Sequence, residues 1–403
     1  MKYIKLKDIC DLQNGFAFKS SDYIDSSTVL NCRMSNIRPN AKFDIMYNPK
    51  YLPENFVERY KEYILNDGDL IIAMTDLAND PKILGVPTIV ETKGNTLLLN
   101  QRVGKLIILD DKLVDKYYLK YSLSLPQHKP YYKKFAGGGL QINIGKEQIL
   151  NLKIPISNIE IQRKVVEILD KSQELIDKRK KQIEELDLLI KSKFIEMFGD
   201  PVKNPLEWQK GKIADIIVKT QYGTSNKADE FNGDFKVLRM NNITYDGNWD
   251  FTSIKYINLD EKEQKKYLVY KGEVLFNRTN SKELVGKTAV YKEDEPMAYA
   301  GYLVKAIPNE RANGEFISAY MNTKYVKDKL LNMAKNIVGM ANINAEEFKK
   351  IDVYIPPIEL QNQFADFVKQ VDKLKFEMEK SLKELEDNFN SLMQKAFKGE
   401  LFK

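Results

Sequence analysis

Arginine, lysine, asparagine and glutamine residues recur at matching places in the two halves of this chain. They are Lys19, Arg33, Asn36, Arg38, Asn100, Gln101, Arg102, Gln141 and Asn143 in the first half, and Arg239, Asn241, Asn242, Asn277, Arg278, Asn280, Lys282, Lys287, Asn342 and Asn344 in the second. Arginine can form two hydrogen bonds with guanine, and asparagine or glutamine two with adenine, while basic side chains also hold phosphates. Turns and solvent exposure explain any one of these residues well, but the set, placed alike in both halves, favours contact with DNA.

A phosphate-binding loop is one enzymatic site that the sequence suggests. Gly286-Lys287-Thr288 resembles the end of a P-loop, but Ser281 stands where the first glycine of the motif belongs. The backbone there could not cradle a phosphate in the usual way. We therefore interpret this motif as a coincidence between a strand and a loop.

A metal-dependent nuclease site is a second enzymatic alternative. Asp69 with Glu91-Thr92-Lys93 resembles an acid, acid-x-Lys arrangement that could hold Mg²⁺. The second half offers Glu273 but no matching Glu-x-Lys, whereas a catalytic site is expected in both copies or in a more complete context. The single His128 lies in a proline-flanked loop and is predicted to be solvent-exposed.

An amino-methyltransferase is excluded by motif. Its active site needs an Asn/Asp-Pro-Pro-aromatic sequence, and the chain's Pro356-Pro357 lies between isoleucines instead. We predict no catalytic residue, no metal ligand and no cofactor in this chain.

Composition gives broader bounds. The 403 residues suggest two or three domains, and 43% hydrophobic residues are ample for real cores. Two cysteines and one histidine exclude a disulfide framework and a His/Cys metal cluster. The scarcity of cysteine, the absence of a signal-like N-terminus and the lack of a long apolar run predict a cytoplasmic protein without a membrane span.

The candidate residues must be positioned by larger elements, of which residues 159–198 are the most distinct. Apolar residues recur there every three, four or seven positions, with charged residues on the other faces. Forty helical residues make a rod of roughly 60 Å, which is too long for a domain of ordinary size. The predicted apolar stripe is Ile161, Val165, Ile168, Leu175, Ile183, Leu186, Ile190, Phe194 and Met197.

A second rod of the same kind begins at Ile358. Its predicted stripe is Leu360, Phe364, Phe367, Val371, Leu374, Met378, Leu382, Leu385, Phe389, Leu392 and Ala396. The rods open alike, with Ile-Glu-Ile-Gln at 159–162 and Ile-Glu-Leu-Gln at 358–361, each after an Ile-Pro. A tail helix packed on its own domain is the alternative, but two similar rods favour a coiled-coil pair.

The globular stretches before the two rods repeat each other in order. Arg33-Met34-Ser35-Asn36-Ile37 matches Arg239-Met240-Asn241-Asn242-Ile243, Thr75 matches Thr279, Gly85 matches Gly286, and Asn143 before the first rod is echoed by Asn344. Each stretch also holds a helical run, at 115–132 and 316–333, and in the first a glycine turn at 137–139 follows. Several pairs in the same order indicate a tandem duplication.

This repeat predicts an α+β architecture with two mixed α/β domains in tandem. The domains alternate with two long helices that pair as an antiparallel coiled coil with pseudo-twofold symmetry. The predicted ranges are 1–157, 158–199, 200–356 and 357–403. Both rods are close to neutral, so the net charge of +6 resides in the globular parts. Two equivalent basic surfaces roughly 50–70 Å apart would suit duplex DNA with two half-sites and an unread spacer.

The chain resembles the specificity subunits of type I restriction-modification systems over essentially its whole length. The resemblance lies in the proline leads and openings of the two rods, in Gly-Phe-Ala-Phe-Lys at 15–19 and in the closing phrase at 394–401. The first lead, Ile154-Pro155-Ile156-Ser157, departs mildly from the fuller Ile355-Pro356-Pro357-Ile358.

The resemblance implies properties that composition could not. Each globular domain would be a target recognition domain for a few base pairs of double-stranded DNA. The rods would set the spacer and dock two copies of a DNA adenine methyltransferase subunit, and motor/nuclease subunits would complete the complex. A non-catalytic coiled-coil adaptor that binds only proteins is the alternative, and it should show no salt-dependent affinity for DNA.

Overall fold

The computed structural model of the chain describes residues 1–135, 139–337 and 340–402. Gly137 and Gly138, which the sequence places in a turn, lie outside the described residues. Within the described residues, no helix is both long enough and apolar enough to span a bilayer.

The first half contains twelve strands within its described residues. They are β1 Lys2–Lys5, β2 Cys10–Asn14, β3 Val29–Cys32, β4 Tyr51–Leu52, β5 Ile64–Leu65, β6 Leu70–Ala73, β7 Thr75–Leu77, β8 Pro87–Ile89, β9 Thr96–Leu99, β10 Val103–Ile108, β11 Gln141–Asn143 and β12 Lys153–Ile156. The helices of this half are α1 Phe56–Arg59, α2 Lys116–Leu123, α3 Lys129–Lys133, α4 Lys146–Leu150 and the long α5 Ile159–Phe198.

The described residues of the second half form the same series with one extra strand. The strands are β13 Gln209–Lys212, β14 Ile217–Tyr222, β15 Phe235–Leu238, β16 Lys255–Ile257, β17 Leu268–Val269, β18 Val274–Asn277, β19 Thr279–Asn280, β20 Thr288–Val290, β21 Met297–Tyr299, β22 Leu303–Pro308, β23 Lys335–Ile337, β24 Met340–Asn342 and β25 Asp352–Ile355. The helices are α6 Glu261–Tyr267, α7 Gly314–Met321, α8 Lys324–Met333, α9 Ala345–Lys349 and the long α10 Ile358–Lys398.

Sheet topology confirms the duplication. The first half has four-stranded sheets ordered β2-β10-β6-β8 and β4-β3-β9-β5, and the second half has β14-β22-β18-β20 and β16-β15-β21-β17. The β3–β9 and β15–β21 pairs are parallel, while the other pairs of these sheets are antiparallel. Two versions of one mixed fold thus follow each other along the chain.

The predicted helical runs at 115–132 and 316–333 are each two helices rather than one. Pro126 follows α2 in the first half, where the chain makes a 3-10 turn before α3. In the second half, the side chain of Thr323 accepts a hydrogen bond from the backbone N–H of Val326 and so caps α8, which starts there as a separate helix. Local capping therefore overrides the continuous apolar pattern.

The two long helices pack against each other in antiparallel directions, as predicted. At one end, Val165 and Leu169 of α5 share a buried cluster with Ala396 of α10. At the other, the rings of Phe194 and Phe364 lie 5.6 Å apart. The start of α5 thus meets the end of α10, and the end of α5 meets the start of α10.

The predicted apolar stripes are correct in phase but wrong at two positions. Leu175 is 53% exposed and Leu374 is 46% exposed, whereas Ile176, directly after Leu175, is buried. The buried face of a straight helix drifts relative to a seven-residue repeat, so strict heptad counting selects the wrong neighbour over long distances.

A buried glutamine fastens the start of each long helix. The Oε1 atom of Gln162 accepts a hydrogen bond from the backbone N–H of Asp115 at 2.9 Å. Its Nε2 donates to the carbonyls of Leu113 and Ser157 at 2.9 and 2.8 Å. Gln361 makes the same three kinds of contact in the second half. The shared Ile-Glu-x-Gln openings therefore mark a buried glutamine that hydrogen-bonds the start of each long helix to neighbouring backbone groups.

Contacts divide the chain into two compact units that do not follow the order of the sequence. The first comprises Met1–Lys178 with the end of the chain from Leu382, and the second is Arg179–Ser381. Each unit holds one repeat and a part of both long helices. The four ranges drawn from the sequence stay a prediction, but compact folding cuts across both of its helical segments.

Candidate nucleic-acid interface

The first repeat brings several of the predicted residues to two cavities that share a wall. Arg33, Asn100, Gln101 and Arg102 line a cavity of about 740 Å³. Gln101 and Arg102 also line a smaller cavity of about 250 Å³ together with Gln141 and Asn143. The turn between β9 and β10 is therefore the centre of the candidate surface.

This central turn is held by the strands around it. The backbone N–H of Gln101 donates to the carbonyl of Phe16, and the carbonyl of Arg102 accepts from the N–H of Met74, both at 2.9 Å. Buried Asn100 supports the turn because its Oδ1 accepts from the N–H of Arg102. The side chains of Gln101 and Arg102 are exposed. The fold thus presents these two side chains outward on a fixed backbone.

Strand β11 supplies the second set of polar groups. Gln141 and Asn143 are exposed and two residues apart, so both point to one face of the strand. Asn143 lies opposite Thr75 on β7, and its Oδ1 accepts the Thr75 hydroxyl at 2.7 Å. That bond leaves the Asn143 amide group free to act as a donor, which orients it for a partner.

Register corrects one matched pair from the sequence. Asn143 pairs with Thr75, and Asn342 pairs with Thr279 in the second half. Asn143 therefore corresponds to Asn342 and not to Asn344. Asn344 instead caps α9, where its Oδ1 accepts the N–H of Glu347 at 2.9 Å.

The second repeat presents a different set of side chains at equivalent positions. Because Met74 N–H bonds to Arg102 and Arg278 N–H bonds to Tyr302, Arg278 corresponds to Met74 and Tyr302 to Arg102. The guanidinium of Arg278 lies 4.9 Å from the ring centre of Tyr222 and donates to Asn342 Oδ1 at 3.3 Å. Arg278 and Tyr302 thus stand in the second repeat at the positions that Met74 and Arg102 occupy in the first.

Four predicted residues brace the fold, and of these Arg33 also lines the larger first-half cavity. Asn36 and Asn242 are buried, and each accepts the backbone N–H of the arginine three residues earlier while donating to loop carbonyls. Arg33 and Arg239 in turn donate to the carbonyls of Asn48 and Ser253. These four residues form one repeated brace for a loop. That they contact DNA stays a prediction, and the geometry gives only the arginines a partly exposed surface.

Asn277 and Lys287 form a second buried group. Asn277 is fully buried and Lys287 is 6% exposed, and both donate to the carbonyl of Met240. Burial lowers the pKa of Lys287. Because this lysine is committed to a carbonyl and Thr288 begins β20, Gly286-Lys287-Thr288 is a strand-loop feature, as the sequence interpretation held.

The remaining candidates lie on exposed or half-buried segments. Arg38 stacks on the ring of Tyr47 at 3.5 Å, while Lys19, Asn241 and Lys282 are exposed. Asn280 is half-buried on β19, and its Oδ1 accepts the N–H of Ser281. These residues are available to a ligand but are not among the side chains that line the two first-half cavities.

Two acids of the nuclease alternative, Asp69 and Glu273, have structural partners. Asp69 pairs with Lys105 at 2.7 Å, and Glu273 pairs with Lys305 at 3.2 Å at the equivalent place. No group of three or more metal-ligating side chains occurs among the described residues. The repeated acid–lysine pair explains why an acid is present at this place in both halves, and this explanation needs no role for Glu91 or Lys93.

The expectation that His128 is exposed is wrong. Its side chain is 5% exposed, and Nε2 lies 2.9 Å from the carbonyl of Ser122. Burial lowers the pKa of His128. Pro126 begins the 3-10 turn that ends at His128, and Pro130 lies in the first turn of α3, so the flanking prolines mark ordered turns and not an exposed loop.

Sequence reasoning missed Tyr222 and Tyr302. Tyrosine is not among the usual base-edge readers, so neither residue was considered. The position of Tyr302 in the repeat, directly equivalent to Arg102, is the signal that could have revealed it. Aromatic rings on a nucleic-acid surface can stack on bases or lie against the sugar.

Comparison with known proteins agrees with the duplicated architecture. The model of the type I restriction modification DNA specificity domain matches residues 1–187 and again residues 205–387. The chain belongs to this family. The family match thus falls once on each repeat, so both surfaces described above lie in DNA specificity domains.

Individual relatives are distant but extensive. The specificity subunit of the type I restriction enzyme EcoKI from Escherichia coli K12 is 22% identical, with 98% of this chain and 87% of that subunit covered. A putative MjaX specificity subunit from Methanocaldococcus jannaschii is 24% identical over 49% of this chain, and the match spans only 47% of that relative.

Solved structures agree in fold. The type I restriction-modification S subunit from M. genitalium superposes with a TM-score of 0.57 at 14% identity, covering 98% of this chain and 96% of that one. A chain from a study of complex assembly and conformational transition of the type I restriction-modification system gives 0.56 at 16% identity, with 99% and 98% covered. The specificity-subunit fold therefore extends over the whole described chain.

Proposed function

We propose that this specificity protein reads a bipartite, asymmetric DNA target with a fixed unread spacer. The observation that carries the proposal is that one fold occurs twice with unlike side chains at equivalent exposed places. Arg102 in the first repeat corresponds to Tyr302 in the second, and Met74 corresponds to Arg278. Equal folds with unequal readers suit two half-sites of different sequence.

Catalysis would then belong to other subunits. We propose that two copies of a DNA adenine methyltransferase subunit dock on the long helices, and that motor/nuclease subunits join them for restriction. Asp69 and Glu273 pair with lysines and Lys287 donates to a backbone carbonyl, which supports a non-catalytic role. The chain itself would need no cofactor.

The deciding experiment is a genome-wide map of adenine methylation in host cells with and without this chain. We expect the chain to be required for methylation of one split motif, with two short unlike halves around a constant gap. An unchanged map with the partner subunits expressed would contradict the proposal. In that case salt-independent DNA binding would favour the protein-binding adaptor, because phosphate contacts give a steep salt dependence.

Lengthening both long helices together is expected to lengthen the spacer. Seven residues inserted after Lys178 and seven after Ser381 preserve the antiparallel pairing and add about 10 Å, or about three base pairs. The methylated motif should keep both halves and gain the longer gap. A seven-residue insertion in α5 alone is the control, and it should impair folding because its partner no longer matches.

A changed half-site sequence after the paired insertion would contradict the role of the helices as a ruler. The same methylation map provides the readout. Loss of all methylation with a folded chain would show instead that partner docking, and not only spacing, depends on the inserted positions.

A further inference from the structure

A cavity of about 570 Å³ lies in the second unit, and none of the candidate DNA-binding residues is part of its lining. Its walls come from the second half of α5, from the loop at Tyr245 to Asn248, and from α7 and α8. Ile190, Phe194 and Ala319 make much of its lining apolar. This volume falls in the range typical of small-molecule sites.

Lys327 of α8 gives the cavity an unusual charge. The residue is 9% exposed, and its Nζ has no hydrogen-bond acceptor among the described residues. Its ammonium lies 4.8 Å from the ring centre of Tyr245, a contact weaker than a hydrogen bond to an anion. Burial lowers the pKa of Lys327 to about 8. A buried cation without an acceptor is costly, and such groups mark functional candidates.

The other charged residues of the lining are already matched. Lys191 pairs with Asp246 at 2.6 Å, and Lys324 pairs with Asp328 at 2.7 Å. Asp187 pairs with Lys375 of α10 at 2.7 Å. Lys327 is therefore the one lining cation that forms no ion pair with a described residue. The lining can therefore neutralise one negative charge on a ligand that is otherwise apolar.

The first repeat has a related cavity of about 800 Å³, lined by Lys129 and by the loop at Asn40 to Phe43, but it lacks the buried lysine. The N-cap residues Asp115 and Asn313 occupy equivalent positions in the two repeats. Tyr132, which lies against Gly85, is likewise equivalent to Leu330, which lies against Gly286. The same offset in residue number makes Lys129 the first-repeat equivalent of Lys327. Lys129 is exposed, so the first repeat holds the equivalent lysine in water. Burial of Lys327 is therefore not required by the shared fold.

We propose that this cavity binds a small organic carboxylate with an apolar body. The carboxylate would accept a charge-assisted hydrogen bond from Lys327, and the apolar body would lie on Ile190 and Phe194. A dianionic phosphate would bring a second charge that the matched lining cannot neutralise. The proposal does not depend on the function proposed above, since none of these residues belongs to the DNA surfaces.

The test uses 4-phenylbutyrate and its neutral analogue 4-phenylbutyramide with the full-length chain. Binding is measured by isothermal titration calorimetry and by the ¹H–¹⁵N signals of the lysine side chains. We expect the acid to bind about tenfold more tightly than the amide, because the acid offers the buried ammonium a charged acceptor whereas the amide offers only a neutral carbonyl. The Lys327 signal should shift on addition of the acid.

Two lysine variants and one variant that narrows the cavity complete the test. Lys327→Met should remove the preference for the acid while keeping the apolar walls, and the exposed Lys324→Met should retain it. Thermal unfolding of both lysine variants establishes that they are folded. Ala319→Leu, which narrows the cavity but keeps Lys327, should weaken the binding of both probes. Equal affinity for acid and amide, a preference retained in Lys327→Met, or no binding at millimolar probe would each overturn the proposal.

Discussion

Replacing Gln361 by leucine is expected to lower the free energy of unfolding by about 3 kcal/mol or more. The buried amide accepts from the backbone N–H of Asn313 and donates to the carbonyls of Arg311 and Pro356, with distances of 2.9, 3.0 and 2.8 Å. Leucine has a similar size but leaves all three backbone groups unpaired away from water. Chemical denaturation measures the loss, and hydrogen exchange should localise it to the start of α7 and α10.

Gln363→Leu is the matched control, since Gln363 lies on the same helix and is exposed. It should change stability by only a few tenths of a kcal/mol. The stabilising role of the Gln361 hydrogen bonds would be refuted if the Gln361→Leu and Gln363→Leu variants were equally stable. Gln162→Leu should repeat the effect in the first unit, where the same three bonds occur.

Arg102→Glu is expected to weaken DNA binding by about 100-fold at fixed salt. The change removes the exposed arginine shared by the two first-half cavities and adds repulsion from phosphates. Fluorescence anisotropy with target duplexes measures the affinity. In host cells, the methylation map should lose discrimination in one half-site while the other half-site stays the same.

Lys112→Glu supplies the control for charge, because Lys112 is exposed in the loop after β10 and carries the same change. It should weaken binding little. Arg278→Glu should mirror the result in the other half-site. Relaxed reading of both half-sites by either arginine variant would be incompatible with two independent readers.

The repeat and the paired long helices could be predicted because their signals are long. Apolar periodicity over forty residues and matched motifs in order leave few alternatives, and the family resemblance added the expected partners. Single side chains could not be assigned in the same way. Asn36 and Gln101 both carry an amide and look alike as candidates in the sequence, yet Asn36 braces a buried turn while Gln101 projects outward.

The errors share a physical cause, which is that burial depends on tertiary contacts. His128 seemed exposed because prolines flank it, but the loop folds back on the core. The pair of Asn143 was misplaced by two residues because only strand pairing fixes its partner as Asn342. Lys327 has an ordinary helical context and becomes unusual only when α5 and the Tyr245 loop cover it.

The division of the chain into units also sets an order of events during synthesis on the ribosome. The second unit is complete in sequence once Ser381 has emerged, but the first unit needs residues from Leu382 onward. Until then Tyr118, Val165 and Leu169 lack their cover from α10. At usual elongation rates that interval is about 10 to 40 s. The part of the protein made first is therefore finished last, and its uncovered apolar face is the site where nascent-chain chaperones should bind.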